Sequence, residues 1–143
     1  MKKLWIFLIA LFVFVGLSGC ENNKVQNLTI EMDMDKNYDE SDPFVNARLF
    51  VVKKDVDELK ATISLKMDGA SGTVEIKENK TGTVLWSKIW HGNMQDEINF
   101  ISLMHLKNDK EYAISFTGTK IEQVQLAISF DSDSVQELEK PSE

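Results

Sequence analysis

From Leu28 onward the sequence alternates apolar and polar side chains, and the alternation breaks only at short runs rich in Gly, Asn and Asp. This period of two is the strongest constraint on the fold. Successive side chains of a strand point to opposite faces, whereas a helix brings its faces round every 3.6 residues. LTIEMDMD sets Leu28, Ile30, Met32 and Met34 against Thr29, Glu31, Asp33 and Asp35. KATISLKM does the same with Ala61, Ile63, Leu65 and Met67. ARLFVV (47–52) is a compact apolar run. DGASG (68–72), NKTG (79–82) and HGN (91–93) read as turns around TVEIKE and TVLWSKIW. Residues 96–102 set Ile98 and Phe100 against Glu97 and Asn99, and EYAISFT (111–117) and KIEQVQLAISF (120–130) complete the series. Strands at this regular spacing predict an all-β domain over residues 28–131, an antiparallel β-sandwich of about seven to eight strands.

Residues 55–61 and 95–106 also admit a helical reading, since Asn93 could cap a helix whose first turn carries Asp96 and Glu97. A strand ending near Ser102, followed by a corner, fits the pattern better. The corner itself is HLKNDKEYAISFTG, with Leu106, an Asn-Asp turn, and Tyr112 six residues after the Leu. It resembles the tyrosine corner of fibronectin type III and other immunoglobulin-like sandwiches. The resemblance implies that Leu106 packs in the core and that the Tyr112 hydroxyl bonds back to the corner backbone. The Pro and Gly usual in that loop and the early-strand Trp of fibronectin domains are absent, so immunoglobulin-like and jelly-roll topologies both stay open.

Cys20 is the chain's one cysteine and cannot close an internal disulfide. Upstream of it, Met1-Lys2-Lys3 gives a basic start, and residues 4–17 are uncharged and apolar. That run is the length of a signal-peptide core and shorter than the roughly 20 residues a spanning helix needs. Leu17-Ser18-Gly19-Cys20 resembles the lipobox of bacterial lipoproteins. The resemblance implies diacylglycerol transfer to the Cys20 sulfur and cleavage before it. Residues 1–19 are then a signal peptide, 20–27 a lipidated cysteine and short tether, and 132–143 an acidic flexible tail. The expected location is the extracytoplasmic face of the cell membrane. Fifteen of the sixteen basic residues are Lys, a bias that suits a low-GC Gram-positive bacterium.

All 23 acids lie after Cys20, against 14 bases. Residues 31–42 hold six acids and residues 131–143 hold five, while residues 43–130 balance 11 acids with 11 bases. Nucleic acid is excluded as a partner on this distribution, because phosphate binding needs a basic stripe.

The remaining partners are the membrane, through the lipid anchor, and a wall glycan or protein. No catalytic motif is present: GASG lacks nucleophile-elbow spacing, and there is no Walker loop or HExxH. The expectation is therefore a binding or accessory role rather than an enzyme. Two ligand chemistries have candidate residues. Asp33, Asp35, Asp39 and Asp42 offer the oxygens calcium requires, although Tyr38 and Phe44 break the EF-hand pattern. Calcium is the one cofactor these residues suggest. Trp86 and Trp90 share a strand face with Val84 and Lys88, and would suit a carbohydrate-binding module if exposed.

Overall fold

The structure, a computed structural model, describes residues 27–37 and 46–139. These residues form nine strands: β1 (Thr29–Asp35), β2 (Ala47–Val52), β3 (Val56–Asp68), β4 (Ser71–Glu78), β5 (Val84–His91), β6 (Met94–Leu106), β7 (Glu111–Thr119), β8 (Gln123–Phe130) and β9 (Val135–Glu137). One sheet, here sheet A, has the order β1-β8-β3-β6, and sheet B has the order β5-β4-β7-β2-β9.

The order follows one rule. The first eight strands pair as a single long hairpin folded over, β1 with β8, β2 with β7, β3 with β6 and β4 with β5, all antiparallel. Alternate pairs fall in opposite sheets. That is the jelly-roll arrangement of two Greek keys. It is not the immunoglobulin one, in which the first strand lies beside the second. Here β1 pairs with β8. The ninth strand adds to the edge of β2, so residues 135–137 are part of the sheet rather than of a flexible tail. Val135 and Ser134 are both buried.

The alternation read from sequence decides which side chains enter the core. On β1, Ile30, Met32 and Met34 point in while Glu31, Asp33 and Asp35 point out. Val124, Leu126, Ile128 and Phe130 of β8 face Phe50, Ile114 and Phe116 of sheet B within one apolar cluster. Each buried side chain of this size contributes roughly 1.5–3 kcal/mol. Gly72 lies where β4 passes under Met67 and Phe116. A Cβ there would fall 2.6 Å from the Met67 sulfur and 2.7 Å from the Phe116 ring, so any larger residue would have to displace those side chains.

Three irregularities depart from simple alternation. On β6 the register slips between Ala61↔Ile101 and Ile63↔Ile98, leaving Asn99 and Phe100 both opposite Thr62. The bulge turns Phe100 outward, 69% exposed, where the sequence pattern had grouped it with Ile98. It also restores Ile101 and Leu103 to the core. On β5 a second slip, between Ile76↔Trp86 and Lys77↔Val84, frees Val84 from the face it was expected to share with Trp86. The third is His105, in the left-handed region at φ 58°. It swings Leu106 inward, and β6 runs on to Leu106 rather than ending near Ser102.

The corner after Leu106 carries the chain from sheet A to sheet B. Leu106 and Tyr112 are buried, and the Lys107 backbone N–H donates to the Tyr112 hydroxyl at 2.7 Å. Asp55, from the β2–β3 loop, accepts from the Asn108 N–H at 3.0 Å and from Lys107 Nζ at 3.1 Å. Those two bonds hold its carboxyl below the usual carboxylate range.

Candidate functional site

Cys20, Asp39 and Asp42 lie outside the described residues. Asp33 and Asp35 stand on the outer face of β1. The first strand does neighbour the last strand of the long hairpin. Because β1 and β8 run antiparallel, however, Asp131 reaches the Leu28 end, away from Asp35. There Phe130 donates to the Leu28 carbonyl, and Asp131 accepts from the Lys60 N–H. The two acidic flanks therefore do not converge at Asp33 and Asp35. Among the described residues no group of three or more His, Cys, Asp or Glu is placed to hold a metal ion.

The two tryptophans are not an exposed platform. Trp90 is 2% exposed, and Trp86 is half-buried against the core. Their ring centroids are 6.4 Å apart at 56°. The Trp90 Nε1–H donates to Asp96 Oδ2 at 2.7 Å, and Lys88 Nζ donates to the same oxygen at 2.9 Å while lying 5.2 Å from the Trp90 ring. Lys88 and Trp90 belong to β5 of sheet B, and Asp96 to β6 of sheet A. The cluster clasps the two sheets along one margin. Lys88, which lies between the two tryptophans in sequence, is the cation that neutralises Asp96. The Trp90 hydrogen bond, with Lys88 second, holds the Asp96 carboxyl below its ordinary range.

The open surface lies elsewhere, on the outer face of sheet A. Strand register arranges it as rows running across the sheet. Thr29, Ser129 and Thr62 lead to the bulge carrying Phe100. The next row is Glu31, Ala127, Ser64 and Glu97, followed by Asp33, Gln125, Lys66 and Gln95, and then Asp35, Gln123 and Asp68. Small side chains in the middle of the rows lower the floor. A cleft of about 350 Å³ opens between Glu31 and Asp33 on one side and Gln95 on the other, with Ala127 and Ser64 among its lining. It shares Lys66, Gln95 and Gln125 with a second cleft of about 270 Å³ toward Asn93. A third, of about 140 Å³, continues the line toward Asn27 between Lys60, Ser129 and Phe100.

Thr29 and Ser129 share a hydrogen bond at 2.8 Å, but among the described residues Glu31, Asp33, Lys66, Gln95, Glu97 and Gln125 have no side-chain hydrogen-bond or ion-pair partner. Such a surface offers amide, carboxylate, hydroxyl and ammonium groups in fixed positions, and so suits hydrogen bonding to a polar ligand. The two histidines stand apart: His91 is paired with Ser71 at one end of the sandwich, and His105 adjoins the Leu106 corner at the other.

Sequence reasoning passed over this face. The signal was present in QVQLAIS of β8 and ATIS of β3, whose outward positions are Gln, Ser, Thr and Ala rather than the charges of an ordinary solvated face. The Phe100 bulge had no such signal.

Fold and site together define a jelly-roll sandwich with one polar, grooved face. The chain belongs to the family described as a domain of unknown function, DUF4624, which its residues 17–142 match. No curated protein and no solved structure matches it.

Proposed function

We propose that this protein is a lipid-anchored extracytoplasmic lipoprotein that binds a polar ligand near the cell wall through the outer face of sheet A. The observation that carries the binding role is the line of three clefts along that face, among polar side chains most of which have no side-chain partner among the described residues. The anchor rests on the basic start, the apolar run and Leu17-Ser18-Gly19-Cys20. The family match beginning at Leu17, the first residue of that tetrapeptide, supports counting it with the domain. Two acyl chains give stable attachment, and the tether from Cys20 to Asn27 spans at most about 25 Å. The jelly roll is also the architecture of many lectin domains, which is an analogy of fold and nothing more.

The anchor is tested by mass spectrometry and detergent phase partitioning of the expressed protein. The expected result is a chain beginning at Cys20 with a diacylglyceryl mass, and a Cys20→Ala variant that lacks that mass and keeps residues 1–19. An unmodified Cys20 in a detergent-excluded protein would remove the anchor from the proposal. The binding role is tested separately, below.

A further inference from the structure

We infer that the ligand of the sheet A face is an extended glycan without anionic groups, uncharged or amine-bearing, and that Phe100 is its stacking platform. The inference rests on the binding role just proposed and specifies its ligand.

Shape comes first. The three clefts follow β3 and β8 from Asp68 and Gln123 to Lys60 and Asp131. Eight residues of strand rise give a groove of roughly 25 Å. A groove of that length and shallowness matches a chain of several sugar rings rather than a compact metabolite, which an enclosed pocket would bury.

Chemistry comes second. A glycan presents hydroxyls that both donate and accept, so it needs side chains of both kinds. Gln95, Gln123 and Gln125 supply both, and Glu31, Asp33 and Lys66 supply strong acceptors and a donor. The aromatic face that sugars stack on is Phe100, not the tryptophans. Among the described residues Phe100 is the most exposed of the large apolar side chains, and it lines the third cleft. It holds a left-handed backbone at φ 70°, a conformation strained for any residue with a Cβ. Strained bulge positions that turn a side chain outward cluster at ligand sites.

Charge decides the class. Along the groove, the carboxylates of Glu31, Asp33, Asp35, Asp68, Glu97 and Asp131 outnumber the ammonium groups of Lys60 and Lys66. A polyanion would be repelled by that net negative charge. A neutral sugar chain would be tolerated, and ammonium groups spaced along it would be attracted.

The test is calorimetric titration of the chain from Glu21 to Glu143, which contains all nine strands. The probes are the hexamers of glucosamine and of N-acetylglucosamine, glucosamine itself, polygalacturonate, and hexalysine. The inference expects at least one hexamer to bind, glucosamine to bind at least about tenfold more weakly, and polygalacturonate not to bind. Phe100→Ala should weaken hexamer binding about tenfold, and Asp33→Asn should weaken the glucosamine hexamer more than its acetylated counterpart. Failure of both hexamers to bind would overturn the inference. So would binding of hexalysine alone, which would assign the face to a cationic peptide, or hexamer binding unchanged by Phe100→Ala. None of these outcomes alters the acyl mass on Cys20, so failure here and failure of the anchor are distinguishable.

Discussion

Sheet B pairs most of its charged side chains within the fold, and the clefted part of sheet A's outer face leaves its charges to the solvent. Along sheet B, Lys77 pairs with Glu75, Arg48 with Glu137, and Lys110 with Glu78. At the margin where the sheets meet, Asp96 takes two donors on one oxygen. On the outer face of sheet A, Glu31, Asp33, Lys66, Gln95, Glu97 and Gln125 make no side-chain hydrogen bond or ion pair with another described residue. The same alternating strands build both sheets. The difference lies only in which residues fill the outward positions. Where a polar group is matched internally it contributes to the fold, and where it is left unmatched on a shaped surface it is available to a ligand.

The comparison breaks most readily at the clasp. Trp90→Ala removes a buried ring and the donor to Asp96, and should cost about 3–5 kcal/mol in denaturant unfolding, since the cavity adds to the lost transfer energy. An equal truncation on the open face, Gln125→Ala, should change stability by no more than about 0.5 kcal/mol. If the two cost the same, the division between the regions is wrong. Tyr112→Phe comes next. It strands the Lys107 N–H that the hydroxyl accepts from, a loss of about 1–3 kcal/mol.

Phe100→Gly sharpens the contrast by moving two properties in opposite directions. Glycine accepts φ 70° without strain, so unfolding should become harder by up to about 1 kcal/mol even after the added chain entropy. Affinity for the glycan probes should fall. Loss of both stability and binding would show that the ring serves the fold.

Acid tests the paired carboxylates. Asp96 and Asp55 both titrate below their ordinary range in the folded chain. Their contribution is therefore complete above the unfolded value of about 3.9 and is lost as pH falls through the folded values. Melting temperature should be level from about pH 6 to pH 5 and fall in stronger acid, and Asp96→Asn should flatten that acid limb. The smallest effect belongs to the exposed pairs. Lys77→Met should shift stability by less than about 1 kcal/mol, and that shift should shrink further in high salt.

Much of this molecule is legible in its sequence because alternation is a local property. Ile30, Met32 and Met34, or Ile63, Leu65 and Met67, declare their inward face within one strand, and Leu106 and Tyr112 declare the corner. What escapes is whatever depends on register between distant segments. The bulge at Asn99 and Phe100 exists only against Thr62, and the clasp exists only because β5 and β6 close the margin between two sheets. Ninth-strand pairing of residues 135–137 with β2 is equally non-local, so an acidic, polar stretch read as a tail. The choice between immunoglobulin and jelly-roll order is a matter of which strands meet, and strand composition does not encode it.

The most direct test of the central claim is an amide chemical-shift map of the ¹⁵N-labelled chain titrated with each of the two glycan hexamers, read for the one that binds. The account predicts perturbations centred on Ser64, Lys66, Gln95, Gln125 and Phe100, with the side-chain amides of both glutamines shifting in step. Perturbations centred on Thr73, Glu75 and Ser115 of sheet B, with sheet A unmoved, would contradict it.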